Sequence, residues 1–292
     1  MLISGKRSIP DMKTGLVVEG GGMKCAYSAG ILDRFLDEHI TFDYCIGVSA
    51  GSANTASYLA GQRGRNLRFY VDHLNEPGYM GVKNLLRTGQ FFGLQYIYQT
   101  LTNSDGADPI DYPAIMANPA EFELVATDAA TGKPVYFTKD DMKQDDYIMA
   151  SCALPVMCRP ISFKDQTYFD GGLSDSVPIM RAFAKGCDRV VVILSKPRSF
   201  VKQPEGFRHI YRHALRKYPQ TIAALDNRHL MYRQNIADVK KQESAGKALV
   251  FAPSKELKMS TYARDEKLEQ ELYDLGISDF DARLNELHTF LS

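Results

Sequence analysis

The sequence predicts an α/β protein whose mostly parallel sheet is covered by helices. An apolar run at 15–20 ends in glycine and is followed at 26–38 by apolar residues at helical spacing. The same order of strand, glycine turn and helix recurs at 42–46 and 52–60. A continuous β-branched run at 189–194, RVVVIL, is typical of a central strand in a parallel sheet. Together these patterns favour strands joined by crossover helices.

The predicted secondary structure changes near Lys196, from alternating strands and helices to mostly helices. Up to that residue, three further runs are predicted strands: 122–126, 135–138 and 167–169. Beyond it there are few strand signals and mostly helical spacing. We therefore predict one α/β domain at 14–195 and a mainly helical C-terminal extension at 196–292. Its final stretch is expected to form two helices that separate near Gly276.

Composition narrows the class of protein. The chain has 292 residues, with 35 basic and 35 acidic side chains and no formal net charge, so bulk attraction to nucleic acid is not expected. No segment approaches the roughly 20 apolar residues of a membrane-spanning helix, and the first residues lack the apolar run of a secretion signal. The five cysteines form no C-x-x-C pair. We read them as reduced thiols and predict a cytoplasmic protein.

Gly47-Val48-Ser49-Ala50-Gly51 fits the pattern G-x-S-x-G. In that pattern a sharp turn joins a strand to a helix, and side chains at either glycine would collide with neighbouring backbone. The turn raises Ser49 clear of the sheet and close to a helix N-terminus, which favours developing negative charge. The motif predicts a nucleophile. The alternative interpretation is a tight turn with a solvent-facing serine.

A glycine-rich loop, Gly20-Gly21-Gly22-Met23-Lys24, follows the first strand. It fails the dinucleotide fingerprint because Cys25 occupies the last glycine position, and it fails the P-loop pattern because methionine precedes Lys24. Consecutive glycines would instead let backbone N–H groups converge on one oxygen as an oxyanion hole. A plain connection between strand and helix is the alternative. Lys24 would add positive charge, or hold the loop by pairing with a carboxylate.

The base that would activate Ser49 is predicted to be a carboxylate. None of the six histidines lies in a glycine-rich turn after a strand. His209 and His213 fail the zinc-protease pattern H-E-x-x-H because Ile210 occupies its second position. Asp170 follows a short predicted strand and precedes Gly171-Gly172, which is a suitable layout for a carboxylate at the edge of a sheet. The alternative is an aspartate that bonds to its own turn.

Taken in order, the glycine loop, G-x-S-x-G and D-G-G resemble the patatin-like phospholipase family over residues 14–195. The resemblance implies a catalytic domain with a three-layer α/β/α core. It also implies a Ser49–Asp170 dyad without histidine, and no metal or cofactor. The implied oxyanion-hole and motif residues are Gly20, Gly21, Gly22, Lys24 and Ala50, with Gly47, Gly51, Gly171 and Gly172.

Two positions depart from the family pattern. Cys25 stands where the family's loop usually has glycine, and Val177-Pro178 stands where asparagine-proline often follows D-G-G. The implied activity is hydrolysis of acyl esters in lipids. A transacylase, or a lipid-binding protein that kept the fold, remains an alternative.

Two other segments invite a functional interpretation. The aromatic-rich stretch 69–101 is either a cap over an acyl-chain pocket or ordinary core helices. The basic stretch 196–217 carries Arg208, Arg212 and Arg216 at helical spacing. A basic amphipathic helix can contact an anionic membrane from one side. The alternative is a face that is solvated or paired within the molecule.

Overall fold

The structure, a computed structural model, describes residues 12–141, 146–257 and 264–292. Its centre is one eight-stranded sheet. The strands are β1 (Thr14–Val18), β2 (Tyr44–Val48), β3 (Glu121–Asp128), β4 (Pro134–Thr138), β5 (Ile161–Phe163), β6 (Gln166–Asp170), β7 (Arg189–Ile193) and β8 (Ala248–Phe251).

The sheet is mostly parallel. Strands β3, β2, β1, β7 and β8 lie side by side in that order and run parallel, whereas β4 and β6 pair antiparallel with β3 and β5 pairs antiparallel with β6. In the register of β1 and β2, Val18 lies opposite Gly47. The glycine loop after β1 and the serine turn after β2 therefore leave the sheet next to each other.

Helices connect and cover the strands. They are α1 (Ala26–Asp37), α2 (Ala50–Leu59), α3 (Arg65–Tyr70), α4 (Val82–Thr88), α5 (Tyr112–Ala117), α6 (Asp146–Cys152), α7 (Ile179–Ala184), α8 (Arg208–Ala214), α9 (Pro219–Ser244), α10 (Glu266–Asp281) and α11 (Leu284–Leu291). Short 3-10 turns span Gly22–Cys25 and Gly171–Leu173, and a π-helical turn spans Tyr96–Thr100.

The two faces of the sheet belong to different hydrophobic cores. Alternate residues of β1 show the division, since Leu16 and Val18 join the core beneath α1, α2 and α10, while Val17 joins the core beneath α7 and α9. This alternation is the two-residue period of a strand buried on both sides. The predicted α/β fold, with helices on both faces of a mostly parallel sheet and a helical C-terminal region, is confirmed.

Most predicted elements occur within one or two residues of their predicted ends. Strands β5 and β8 were not predicted. Strand β8 lies in the C-terminal segment and pairs parallel with β7, so this segment adds a strand to the central sheet. The division at Lys196 into two domains stays a prediction. All five cysteines are buried and free, and no helix in the described part of the chain is long and apolar enough to cross a membrane.

The predicted break near Gly276 is wrong. Helix α10 continues through this residue to Asp281, and α11 begins at Leu284. A Cβ added at Gly276 would lie 2.2 Å from the carbonyl oxygen of Tyr27, and one added at Gly30 would lie 2.2 Å from that of Tyr273. Glycine is present because α1 and α10 cross in backbone contact, not because the helix ends there.

Candidate active site

Ser49 occupies a strained turn between β2 and α2. Its φ of 54° and ψ of −131° are rare for a residue with a side chain, and such strain is concentrated at functional sites. The neighbouring glycines make room for the turn. A Cβ at Gly47 would lie 2.4 Å from the Cα of Ser52, and one at Gly51 would lie 2.6 Å from the carbonyl oxygen of Glu19. These are the backbone collisions that the spacing of the motif predicts.

The structure brings Ser49 and Asp170 together from positions 121 residues apart. The Ser49 hydroxyl donates a hydrogen bond of 2.6 Å to Oδ2 of Asp170, and the amide of Gly172 donates one of 2.7 Å to Oδ1. Asp170 ends β6, which pairs with β3, and the tight turn behind it needs Gly171, where a Cβ would lie 2.2 Å from the Val125 carbonyl oxygen. The sheet thus aims this carboxylate at the serine.

Burial changes the chemistry of the pair. Ser49 is 7% exposed and Asp170 only 1%. Loss of solvation raises the pKa of Asp170, although the hydrogen bond from Ser49 and the positive charge of Arg228 act in the opposite direction. A carboxylate whose pKa lies closer to neutral is a better match for proton transfer from a hydroxyl than an ordinary surface aspartate.

The glycine loop lies beside Ser49. Gly22 has a φ of 57°, and a Cβ at Gly20 would lie 2.7 Å from the Val48 carbonyl oxygen. Within the part of the chain that the structure describes, the amides of Gly21, Gly22 and Ala50 donate to no protein acceptor. The arrangement can therefore offer backbone N–H groups to an oxygen bound at Ser49.

Lys24 and Lys196 differ in what they bind. Lys24 lines the cavity at Ser49 and forms no ion pair with any described residue; burial, followed by repulsion from Lys196, lowers its pKa. Lys196 instead contacts the buried carboxylate of Glu19. Glu19 also accepts the amide of Ser195 at 2.7 Å, and the Ser195 hydroxyl donates to the carbonyl of Gly20 at 2.8 Å. The carboxylate pairing considered for Lys24 is thus made by Lys196.

Sequence reasoning missed three residues that hold the site. The Ser151 hydroxyl accepts the amide of Ser49 at 2.9 Å and donates to the Val125 carbonyl at 2.6 Å. Nε of Arg228 donates to the carbonyl of Gly172 at 2.8 Å. Lys196 contacts the carboxylate of Glu19, the residue just before the glycine loop. Ser151 lies in the stretch ASCALP at 150–155, which also resembles the pattern of the patatin-like family and so offers a signal. Arg228 lies within a 26-residue polar helix that offers none.

Two cavities meet at Ser49. They share Gly22, Ser49 and Leu154 as lining residues, and none of the described residues that line either cavity is a histidine. The first has a volume of about 70 Å³ and mostly apolar walls. Its aromatic lining residues are Phe69, Tyr70, Tyr79, Phe92 and Tyr98. These belong to the segment 69–101, so that segment supplies core residues and a pocket wall at the same time.

The basic stretch at 196–217 is partly paired within the molecule. Asp226 accepts Arg208 Nε at 3.1 Å and Arg212 Nη2 at 2.6 Å, while Arg216 lies beyond the end of α8. Next to these arginines, Phe207 is 83% exposed and Ile210 is 57% exposed. The surface therefore combines arginines that share one carboxylate with exposed apolar side chains.

The fold and site define an α/β protein with a strained serine turn, a buried Ser–Asp pair and a glycine-rich loop. The profile of the patatin-like phospholipase family matches residues 16–183, which is more than half of the sequence. The chain belongs to the patatin-like phospholipase family. A second profile, a domain of unknown function called DUF6363, matches residues 218–292.

Two individual proteins are similar to this chain. The uncharacterized protein YjjU of Escherichia coli K12 is 26% identical over 202 residues, which cover 68% of this chain. The chain spans 57% of the length of that relative. The crystal structure of VipD from Legionella pneumophila aligns over 94% of this chain and 67% of its own, with a TM-score of 0.42 and 13% identity.

Proposed function

We propose that this protein is a serine acyl hydrolase that cleaves fatty-acyl esters of lipids. The observation that carries the proposal is the 2.6 Å hydrogen bond from the Ser49 hydroxyl to the buried Asp170 carboxylate, at a strained strand-to-helix turn. A nucleophile in contact with its base is the minimum that acyl transfer requires. Family membership supports lipids as the substrate class.

The reaction follows from the groups that surround Ser49. Asp170 takes the hydroxyl proton as the Ser49 oxygen attacks the ester carbonyl, and the amides of Gly21, Gly22 and Ala50 stabilise the oxyanion, with added positive charge from Lys24. Asp170 then returns the proton to the departing alcohol. The same carboxylate then takes a proton from water, which attacks the acyl-enzyme, and Asp170 returns that proton to the Ser49 oxygen as the fatty acid leaves.

The apolar cavity is the proposed site for the acyl chain. It begins at Ser49 and Gly22 and is walled by the aromatic residues of 69–101. A chain lying there would place its carbonyl at the serine and would point the alcohol part of the ester into the second cavity. The mostly apolar walls suit an alkyl chain, and the dependence of kcat/KM on acyl chain length measures how much of the chain the cavity accepts.

A transacylase and a lipid-binding protein are the competing functions. A transacylase would use the same acyl-enzyme but pass the acyl group to an alcohol. A binding protein would have no need of a strained serine bonded to a buried carboxylate. The Ser49–Asp170 contact therefore favours an enzyme over a binding protein and leaves the acyl acceptor to experiment.

A fluorophosphonate probe followed by ester assays tests the proposal. We expect covalent labelling of the wild type and of Ser254→Ala, a control at an exposed serine, and no labelling of Ser49→Ala. Hydrolysis of acyl esters should follow the same pattern. Equal labelling of the three proteins, or turnover that survives in Ser49→Ala, would remove Ser49 as the nucleophile. When glycerol is supplied as an acceptor with an ester that contains no glycerol, acyl glycerol formed in place of fatty acid would identify a transacylase.

We also propose a cytoplasmic enzyme that contacts anionic membrane through 196–217. Five buried, unpaired cysteines suit a reducing compartment, and exposed Phe207 and Ile210 flank basic side chains on α8. Binding to anionic vesicles should exceed binding to neutral vesicles and should weaken with salt. Equal binding to both vesicle types, or unchanged binding by Phe207→Ser with Ile210→Ser, would count against this contact.

A further inference from the structure

The junction of the two cavities at Ser49 is bordered by very few side chains. The apolar cavity has a volume of about 70 Å³, and the second, more polar cavity has one of about 190 Å³. Within the described part of the chain, the residues that line both cavities are Gly22, Ser49 and Leu154, and we call them the neck. Gly22 has no side chain, and Ser49 is the reacting group. Leu154 is therefore the one other side chain, among the described residues, that borders both cavities.

The backbone around Leu154 is connected to both members of the Ser–Asp pair. The amide of Asp170 donates a hydrogen bond of 2.9 Å to the carbonyl of Ala153, the residue just before Leu154. On the side of the nucleophile, the amide of Ser49 donates one of 2.9 Å to the Ser151 hydroxyl. The position of Leu154 relative to the two reacting groups is thus set by direct hydrogen bonds from their own backbone.

Leu154 itself has little freedom to move aside. Its amide donates to the carbonyl of Cys152 at 2.8 Å, and its carbonyl accepts the amide of Cys158 at 2.8 Å. Pro155 follows, and a proline favours an extended conformation of the residue before it. The side chain is partly buried and packs against the core beneath α1, α2 and α10. A side chain held in this way acts as a rigid wall, because its packed neighbours resist displacement.

The reacting carbonyl has to lie in the neck. Ser49 attacks the carbonyl carbon, and the acyl chain and the alcohol extend from that carbon in different directions, one into each cavity. The atoms next to the carbonyl therefore pass Leu154. A methyl branch on the carbon next to the carbonyl would add its volume at this wall. A single methylene that fits or fails to fit an apolar site changes kcat/KM by about 10- to 200-fold.

We infer that Leu154 is a specificity-determining residue that selects acyl groups unbranched at the carbon next to the carbonyl. The inference rests on the proposed function and adds to it a preference for the shape of the acyl group, independent of the headgroup. The chemical steps need no contribution from Leu154. The residue should therefore decide which esters react, and not whether Ser49 is reactive.

Two isomeric fluorophosphates measure the neck without a lipid. Di-n-propyl and diisopropyl fluorophosphate contain the same atoms and differ only in branching near the phosphorus. In both, the Ser49 oxygen bonds to phosphorus, fluoride leaves and Asp170 takes the hydroxyl proton. We expect the linear isomer to label the wild-type protein about tenfold faster, as measured by intact-protein mass spectrometry. Equal rates for the two isomers would overturn the inference.

Substitutions at Leu154 locate the effect. Leu154→Ala removes most of the wall and should lower the ratio of linear to branched labelling rates about tenfold, whereas Leu154→Phe should raise it. Leu154→Val, which removes a single methylene, should lower the ratio less and provides the test if Leu154→Ala does not fold. Leu230→Ala, the same change at an exposed leucine of α9, is the control and should keep the wild-type ratio. An unchanged ratio in folded Leu154 variants would overturn the assignment.

Ester hydrolysis separates this inference from the proposed function. The values of kcat/KM for p-nitrophenyl butyrate and p-nitrophenyl isobutyrate, which are also isomers, should show the same preference and its loss in Leu154→Ala. Labelling and turnover that disappear in Ser49→Ala, with no change of preference in the Leu154 variants, would keep the hydrolase and overturn the inference. No labelling of the wild type by either fluorophosphate would remove Ser49 as the nucleophile and the inference with it.

Discussion

The two halves of the chain contribute to the site in different ways. Between residues 14 and 195 lie the reactive groups themselves: Ser49 sits in the turn between Gly47 and Gly51, and its hydroxyl meets Asp170 across 121 positions. Between 196 and 292, residues act through distant contacts: Lys196 binds Glu19 across 177 positions, and Arg228 binds Gly172 across 56. The comparison indicates that the first half of the chain carries the reactive groups, while the C-terminal segment contacts the loops that hold them and lines part of the cavity.

The largest expected effect lies in the first half. Ser49→Ala and Asp170→Asn should each lower kcat/KM for ester hydrolysis by about a thousandfold or more, and the double variant should be no worse than either single one, because the two residues act as a unit. Steady-state kinetics on folded proteins measure this. A folded Asp170→Asn variant with a near-normal rate would show that Asp170 is not the base.

Glu269 on α10 provides the largest expected effect on stability from the second half. Its carboxyl is fully buried, neither oxygen has a hydrogen-bond partner among the described residues, and burial raises its pKa to about 9. The folded protein therefore holds a proton that the unfolded chain releases above pH 4.5. The free energy of unfolding should fall by several kcal/mol as pH rises from about 4.5 to about 9.

Chemical denaturation across this pH range checks the prediction for Glu269. Glu269→Gln cannot ionise, so its stability should change less with pH than that of the wild type. Glu271→Gln, at an exposed position on the same helix, is the matched control and should follow the wild type. Parallel curves for the wild type and Glu269→Gln would show that Glu269 is not buried as a neutral acid.

The next largest expected effect is on stability, at the crossing of α1 and α10. Gly276→Ala would normally strengthen a helix, yet here its Cβ would lie 2.2 Å from the Tyr27 carbonyl oxygen. We expect a loss of about 2–3 kcal/mol in the free energy of unfolding, measured by urea denaturation. Gly206→Ala, where an added Cβ meets nothing within 4 Å, is the control. Increased stability in Gly276→Ala would contradict the close crossing.

The smallest expected effect is on the pH dependence of activity, through Arg228, which contacts Gly172 of the first half of the chain. Its positive charge lowers the pKa of Asp170, which must be ionised to act as the base. Arg228→Gln should therefore raise that pKa and move the acidic limb of the kcat/KM profile to higher pH. Arg228→Lys keeps the charge and should move the limb less. If the acidic limb of Arg228→Gln lies at the same pH as that of Arg228→Lys, the charge of Arg228 does not set the pKa of Asp170 and its role is structural.

The features that could be predicted from the sequence are those with a pattern in consecutive residues. The G-x-S-x-G turn could be recognised because its five residues are contiguous in the sequence, although the collision that requires Gly51 is with the Glu19 carbonyl after β1. The fold class could be recognised because buried parallel strands are continuously apolar. The pairing of Ser49 with Asp170 needed the family resemblance, since no local pattern states that residues so far apart will meet.

The features that were not predicted depend on contacts that exist only in the folded chain. Strand β8 is four residues long and too short to stand out within a helical segment. Gly276 was interpreted as a helix end because glycine is common both at helix ends and where two backbones approach closely, and the sequence alone does not separate the two cases. Arg228 sits among many charged residues of α9, and nothing in the sequence marks which of them turns inward.

The crossing of α1 and α10 also has a consequence for how the chain acquires its structure. Helix α1 is synthesised before α10, and the surface around Gly30 is covered only when Tyr273 and its neighbours arrive. Likewise, β7 receives its partner on one side only with β8. Folding that depends on contacts of such long sequence separation is slow, and apolar surface stays exposed meanwhile. The growing chain should therefore bury this face of α1 only after α10 has left the ribosome.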